Sequence, residues 1–423
     1  MLPSSQTIVT GELSNGLRVW VYENFESQTV LVDGYAPGGA VNEGPDERGL
    51  ANFLAIMLRR GAETRDYDAL NEAAESVGAF FGFDAGRHAL GFNAYSLAED
   101  IDLTLDLLAE SLIAPAFPEE EMEKTRVQLL TRLEERRHST RAMASITFNQ
   151  QIYPPDHPYR IDIEAEMAGV GRAQREDLVR FYREKISPEG GVVVVVGAIR
   201  AEEALAKLER TLGGWRHPQA RPDKGIPPRP SLTERREARI PMRGKSQSDI
   251  VMGWPGLRRA DPDYDAVLVC NAILGRFGLG GRLGNRIREE LGLAYYAYST
   301  FNANLGPGTW RIVAGVNPAN VDRAVEAMRA ETARIVSEPV SHRELADVQS
   351  YLTGSLPLRL ETNAGIASYL MSMAWHGLGM DYLLGYDDRI RGVTQEDVLR
   401  VARAYLHPDR YALAVVGPPD EEA

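Results

Sequence analysis

The chain has 423 residues, 44% of them apolar and 25% charged, with a formal net charge of −13. That is enough for roughly two to three globular domains, each able to bury its own core. The acidic balance argues against nucleic acid or an anionic membrane as the main partner. No apolar run approaches the ~18–20 residues of a membrane span. The lone Cys270, in the apolar run Ala266–Leu274, excludes an internal disulfide and reads as a small core residue.

Taken in chain order, the start Met1–Gln6 has neither the basic region nor the apolar core of a signal peptide, so the cytoplasm is the expected location. Leu17–Tyr22 alternates as a strand after the turn Ser14-Asn15-Gly16. Gly49–Gly61 has helical spacing: Leu50, Phe53, Leu54, Met57 and Leu58 form one apolar stripe. Arg59 and Arg60 suit the negative end of that helix and Gly61 its cap. A second face of the same helix carries Asn52, Ala55 and Ile56 at i, i+3 and i+4. A strand pair follows near 77–83 and 88–95, then helices over 98–113, 119–136 and 168–185. The valine run 192–196 reads as a central strand buried on both faces. Between His217 and Pro230 stand five prolines, 218, 222, 227, 228 and 230, which rules out a regular element and predicts a semi-extended linker. Beyond it, a strand pair near 294–302 and 309–316 flanks the breaker cluster Asn304–Gly308, and the acidic end 419–423 should fray.

One stretch is written twice. Glu176–Gly197 and Glu396–Gly417 align without a gap, and 8 of the 22 pairs are identical, from Glu176/Glu396 and Asp177/Asp397 through Pro188/Pro408 to Gly197/Gly417. At nearly the same offset, Val32–Gly38 resembles Val251–Gly256, and the strand pair of the first half has its counterpart in the second. A tandem duplication follows. The expected organisation is a first domain over 1–216, a linker over 217–231 and a second domain over 232–423.

Asn15-Gly16-Leu17, the spacing Gly39…Glu43…Gly49, both helix-strand-glycine closures and Gly292-Leu293-Ala294-Tyr295 make nearly the whole chain resemble the pitrilysin/insulinase family of zinc metallopeptidases. The likeness is to its two-domain form, as in mitochondrial processing peptidase and bacterial zinc-protease-like subunits. The resemblance implies an α+β fold of two tandem homologous domains, each a mixed or antiparallel sheet packed against helices in the metallopeptidase-like α/β roll. In active relatives the second face of the helix carries H-x-x-E-H: two His bind zinc and the Glu activates water. Here those positions are Asn52, Ala55 and Ile56, and the family's third ligand, a Glu, falls near Arg132. The neighbouring Glu134 and Glu135 lie on the charged side of a solvated helix. All three ligands and the base are missing, so no zinc and no other cofactor is expected in this chain. Its seven histidines, at 88, 138, 157, 217, 342, 376 and 407, show no i,i+4 pairing and no Cys or carboxylate framework. The Asn-Ala pair with which active relatives hold the substrate backbone on an edge strand falls near Gly82-Phe83. Edge-strand pairing there can survive without the polar anchor, because it uses main-chain groups.

Gly281–Tyr295 resembles the family's C-terminal-half signature, in which an Arg and a Tyr seven residues apart reach the active centre; Arg288 and Tyr295 have that spacing. Arg offers a permanently charged fork for a carbonyl or carboxylate, and Tyr a hydrogen bond to a developing oxyanion. The glycine-rich stretch before it lacks the context of a phosphate loop. It resembles the substrate-contacting loop of the processing peptidase's non-catalytic subunit, which makes Gly278, Gly280 and Gly281 candidate substrate contacts; the other reading is a plain helix-helix turn. The resemblance therefore implies the non-catalytic subunit of a heterodimeric zinc peptidase. Such a chain binds peptide and supplies Arg288 and Tyr295 to the zinc site of a homologous H-x-x-E-H partner. The alternative is an inert structural or peptide-binding member, like the core subunits of respiratory cytochrome complexes. An active enzyme using a different site has no constellation to support it.

Overall fold

Both copies of the repeat end on an interior strand of a sheet, paired on both sides. In the computed structural model, which describes residues 2–222, 225–276 and 281–419, the first sheet holds β1 (Ile8–Glu12), β2 (Arg18–Glu23), β3 (Thr29–Pro37), β4 (Phe80–Ala85), β5 (Ala89–Leu97) and β6 (Val192–Gly197) in the order β1-β2-β6-β3-β5-β4. The second holds β7 (Arg236–Pro241), β8 (Ser248–Pro255), β9 (Ala294–Phe301), β10 (Thr309–Val316) and β11 (Ala412–Gly417) in the order β7-β11-β8-β10-β9. Leaving out β1, order and polarity coincide. β6 runs parallel to β2 and antiparallel to β3, as β11 runs parallel to β7 and antiparallel to β8. An antiparallel pair completes each sheet. The α+β class and the doubled architecture are as expected.

Every residue of β6 is buried, as a β-branched run flanked on both edges and covered on both faces must be. It closes on Gly197 at φ 149°, where a side chain would strike the carbonyl of Thr29; only glycine fits. The regular helix expected over 49–61 spans Leu50–Met57, started by Gly49 in the left-handed region. One further turn carries the chain to Gly61 (φ 136°), which bridges to Asp66. The single helix expected over 168–185 is two, Ile163–Arg172 and Arg175–Lys185. Gln174 between them is extended, and its N–H donates to the Asp177 carboxylate at 2.9 Å. That acid in the first turn caps a new helix rather than continuing the old one. The second copy repeats the device at Thr394 and Asp397.

By packing, the chain divides into two units. One comprises the chain up to Leu133 with Ile163–Gly225 and Pro357–Leu384; the other comprises Glu134–Asp162, Ile226–Leu356 and Gly385 onward. The sheets thus separate at the proline-rich stretch, but each unit also takes a helical segment from the other half of the sequence. In the first unit the helix Asn363–His376 packs on β3 and β6, with Asn363 donating to the Thr29 carbonyl at 3.2 Å and accepting from Asn24 at 2.7 Å. In the second unit the helix Thr140–Ile152 packs on β8 and β11, with Gln151 donating to the Leu413 carbonyl at 2.9 Å. Among its described residues the proline-rich stretch has no regular element but is tied down: Arg221 N–H donates to the Glu184 carbonyl at 2.9 Å within the first unit. Within the second, Arg229 lies 4.7 Å over the Tyr405 ring. Among the described residues no helix is long and apolar enough to cross a membrane.

Candidate functional site

The helix Leu50–Met57 starts against a buried carboxyl. Glu43 accepts the N–H of Ala51 at 2.9 Å and that of Gly49. Burial nevertheless pushes its titration up to about 7, the backbone bonds only partly opposing it. On the helix, Asn52 is exposed, Ala55 buried and Ile56 half-buried. Arg132 is exposed on the helix Glu119–Arg137, whose Arg126 guanidinium sits 5.6 Å from the Phe53 ring. A zinc site on this face would have an amide, a methyl, a branched alkyl and a guanidinium for donors, and these do not fit the ion. Among the described residues no group of three or more His, Cys, Asp or Glu is placed to hold a metal. Where the helix ends, Arg59 lies 5.1 and 5.2 Å from the rings of Phe80 and Phe81 and donates to Asn71 Oδ1 at 3.0 Å, so a cation braces the neighbouring strand.

Gly82 and Phe83 lie on that strand, β4, at the outer edge of the first sheet. A side chain on Gly82 would crowd the Phe80 ring at 3.1 Å and Asn93 Oδ1 at 3.3 Å. Phe83 points to the other face, edge-on to the core residue Phe81 at 6.2 Å. Phe80 is the direct cross-strand partner of Tyr95, and the two are 44% and 42% exposed.

On the same face as Phe80, Gly82 and Asp84, strand alternation places Asn93 of β5 and Asp33 and Tyr35 of β3. The register runs Asp33–Asn93–Gly82 in one row and Tyr35–Gly91–Asp84 in the next. Gly91 has no side chain, so the Asp84 carboxylate leans across it; a Cβ there would collide with that group. The helix Asn363–His376 roofs this end of the face with Ser368, Met371, Ser372, Trp375 and His376, leaving a cavity of about 310 Å³. Trp375 meets Tyr35 edge to face at 5.5 Å. Burial, and then the charge of Asp84, raises Asp33 to about 6. Burial raises Asp84 too. It also raises the Tyr35 hydroxyl, with the charges of Asp84 and Asp33 adding to the effect. Neither carboxylate has a hydrogen-bond or ion-pair partner among the described residues.

In the second sheet, Arg288 is exposed on the π-helical segment Gly284–Glu290, its Nε 3.5 Å from Glu289. Tyr295 is the second residue of the outer strand β9 and 64% exposed. Gly281 is buried, packed so closely on Gly275 that a Cβ would come within 2.6 Å of its Cα. Gly278 and Gly280 lie outside the described residues. On β8 the acid is fully engaged: Asp249, 1% exposed, accepts from the Tyr296 hydroxyl, from Thr140 Oγ1 at 2.6 Å and from Gln247 at 3.3 Å. Arg141 covers this group, 5.1 Å from the Tyr296 ring, and donates to the Tyr298 hydroxyl at 2.9 Å.

Sequence reading singles out none of Asp33, Tyr35, Asp84 and Trp375. A signal existed in the period of β3, where Asp33 and Tyr35 share one side of an otherwise apolar strand, but nothing local announces the roof.

Two family models match the chain, one described as insulinase (peptidase family M16) over residues 18–153 and one as peptidase M16 inactive domain over residues 172–352. An uncharacterized zinc protease of Streptomyces coelicolor is 25% identical over 434 residues, covering 98% of this chain and 92% of that protein. A probable mitochondrial-processing peptidase subunit beta of Arabidopsis thaliana is 23% identical, covering 99% of this chain and 80% of that protein. Among solved structures, a peptidase M16 inactive domain from Pseudomonas fluorescens superposes with a TM-score of 0.90 at 24% identity, covering 97% of this chain and 98% of that one. A protease from Helicobacter pylori does so with a TM-score of 0.86 at 19% identity, covering 99% and 100%.

Proposed function

Because the chain belongs to the insulinase family, peptidase family M16, we propose that it is a non-catalytic member which binds peptide and lends Arg288 and Tyr295 to the zinc site of a homologous H-x-x-E-H subunit. The observation that carries this reading is the helix Leu50–Met57: its frame is intact, with its stripe buried, while Asn52, Ala55 and Ile56 offer no set of metal donors. The exposure of Arg288 and Tyr295 supports the second half of it, since both must be reachable to serve another chain. Arg288 would orient a substrate carbonyl or carboxylate with its forked donors, and Tyr295 would donate to the oxygen that gains charge. A relative whose name marks it as a processing-peptidase subunit is consistent with work in pairs.

The test has two arms. The purified chain, exhaustively dialysed, should carry no stoichiometric zinc by elemental analysis and cleave no peptide; one zinc per chain would overturn the reading. Co-expression with a family member bearing H-x-x-E-H should yield a complex whose peptidase rate depends on Arg288 and Tyr295. A complex indifferent to Arg288→Ala and Tyr295→Phe would leave the inert peptide-binding alternative in its place.

A further inference from the structure

We propose that β7 is a self-association surface, pairing antiparallel with β7 of a second copy of this chain in one register, centred on Ala238. This goes beyond the reading above and uses none of its residues, because β7 and the β9 that carries Tyr295 are opposite edges of the second sheet.

The internal repeat shows what this edge takes. Arg18 of β2 lies opposite Val192 of β6, and Arg236 of β7 lies opposite Ala412 of β11, the residue aligned with Val192 in the repeat. β2 and β7 are therefore the same strand of the two copies. In the first sheet the far side of β2 is covered by the antiparallel strand β1. In the second, β7 pairs only with β11 among the described residues. The side chains follow that difference: Val19 and Val21 of β2 are fully buried, and their counterparts Glu237 and Arg239 are exposed.

The main chain fixes which residues can pair. The N–H groups of Arg236 and, just past the strand, Met242 donate to the carbonyls of Tyr411 and Gly417 at 2.9 and 2.6 Å, so the even-numbered residues of β7 bond to β11. Strand groups alternate, and those of Glu237 and Arg239 point to the open edge. Pro241 on that side has no N–H and ends the ladder. A two-fold register that sets Glu237 opposite Glu237, or Arg239 opposite Arg239, opposes like charges and is disfavoured. The register between them sets Glu237 opposite Arg239 on both sides of the axis, each pair exchanging two main-chain hydrogen bonds. It also brings Ala238 against Ala238 and lays the stem of Arg236 over Ile240, which is 38% exposed. An edge complementary to its own reverse points to a second copy rather than to an unrelated strand. Within one chain Arg239 already meets Glu237 at 2.9 Å and Asp322 at 2.7 Å. Such exposed pairs contribute little by themselves, and they hold both charges at the edge. A strand of 6 residues buries less than a standard interface, so the dimer is concentration-dependent rather than obligate.

Sedimentation velocity of the full chain over about 1–100 µM tests this. Wild type should pass from monomer to dimer in that range. Glu237→Arg and Arg239→Glu each oppose like charges and should weaken the dimer about tenfold or more. Glu237→Arg/Arg239→Glu reinstates both unlike pairs and should recover most of the loss. Ala238→Cys reads the register even where a charge reversal folds poorly. A non-hydrogen-bonded pair puts the two Cα atoms about 4.5 Å apart, and the native Cys270 is buried, so oxidation should link the copies through position 238. A chain that stays monomeric at about 100 µM overturns the proposal. So does a dimer indifferent to the single reversals, a double swap that recovers nothing, or an Ala238→Cys chain that does not cross-link, because another surface would then hold the copies together.

Discussion

The two sheets share strand order and polarity, and they treat an acidic residue near the outer strands in opposite ways. In the second, Asp249 is enclosed and its carboxylate is saturated by Tyr296, Thr140 and Gln247, so the acid is part of the framework. In the first, Asp33 is half-buried and Asp84 exposed beside a cavity, and neither has a partner among the described residues. A buried carboxylate has to be satisfied by the protein, whereas one that reaches solvent does not. The duplication makes the contrast informative: one copy of the architecture closes over its acid, and the other leaves its acids beside a cavity. The candidate chemistry divides the other way. On its helix Leu50–Met57 the first copy carries Asn52, Ala55 and Ile56, while the second presents Arg288 and Tyr295 to solvent.

The largest expected effect lies in the second copy. In a reconstituted complex with an H-x-x-E-H subunit, Tyr295→Phe removes a hydrogen-bond donor aimed at developing charge and should lower kcat by about 10²–10³-fold, read by steady-state peptide cleavage. A rate within twofold of wild type would show that Tyr295 supplies no donor to the reaction. Next in size is Asp249→Ala, which strands the Tyr296 hydroxyl and Thr140 without their acceptor. At about 1–3 kcal/mol for each buried unsatisfied group, the loss should be about 3 kcal/mol, measured as a shift in the urea midpoint at pH 7. Little change would mean that Asp249 is no more structural than Asp33.

How much of this was legible beforehand depends on how local the cause is. β6, β9 and β10 were readable because a valine run and the breaker cluster Asn304–Gly308 act within a few residues. The residues Asn52, Ala55 and Ile56 at the H-x-x-E-H positions are likewise a local spacing on one helix. The split at Gln174 was written in Asp177, but the apolar pattern on both sides read through it. The exchanged helices Thr140–Ile152 and Asn363–His376 were not readable, since each packs on a sheet from the other half of the sequence and its amphipathic pattern does not name its partner. The cavity depends on that exchange. Asp33 looks like an ordinary solvated strand residue until Trp375 and its neighbours roof it.

The smallest effect separates the two acids most cleanly. Asp33 titrates near 6 in the folded chain, above the ordinary aspartate value near 4. The folded state therefore binds its proton more tightly than the unfolded state does. Stability from this group is fully present below about pH 4 and is lost as pH rises through about 6. Asp33→Asn removes the charge and with it that loss. The variant should be more stable than wild type at pH 7.5, by on the order of 1 kcal/mol once solvent in the cavity is allowed for, and the gain should disappear at pH 4. Urea midpoints of the two proteins at both pH values measure it. A destabilised variant at pH 7.5 would mean that Asp33 is held by interactions like those of Asp249, and the contrast between the two copies would not survive.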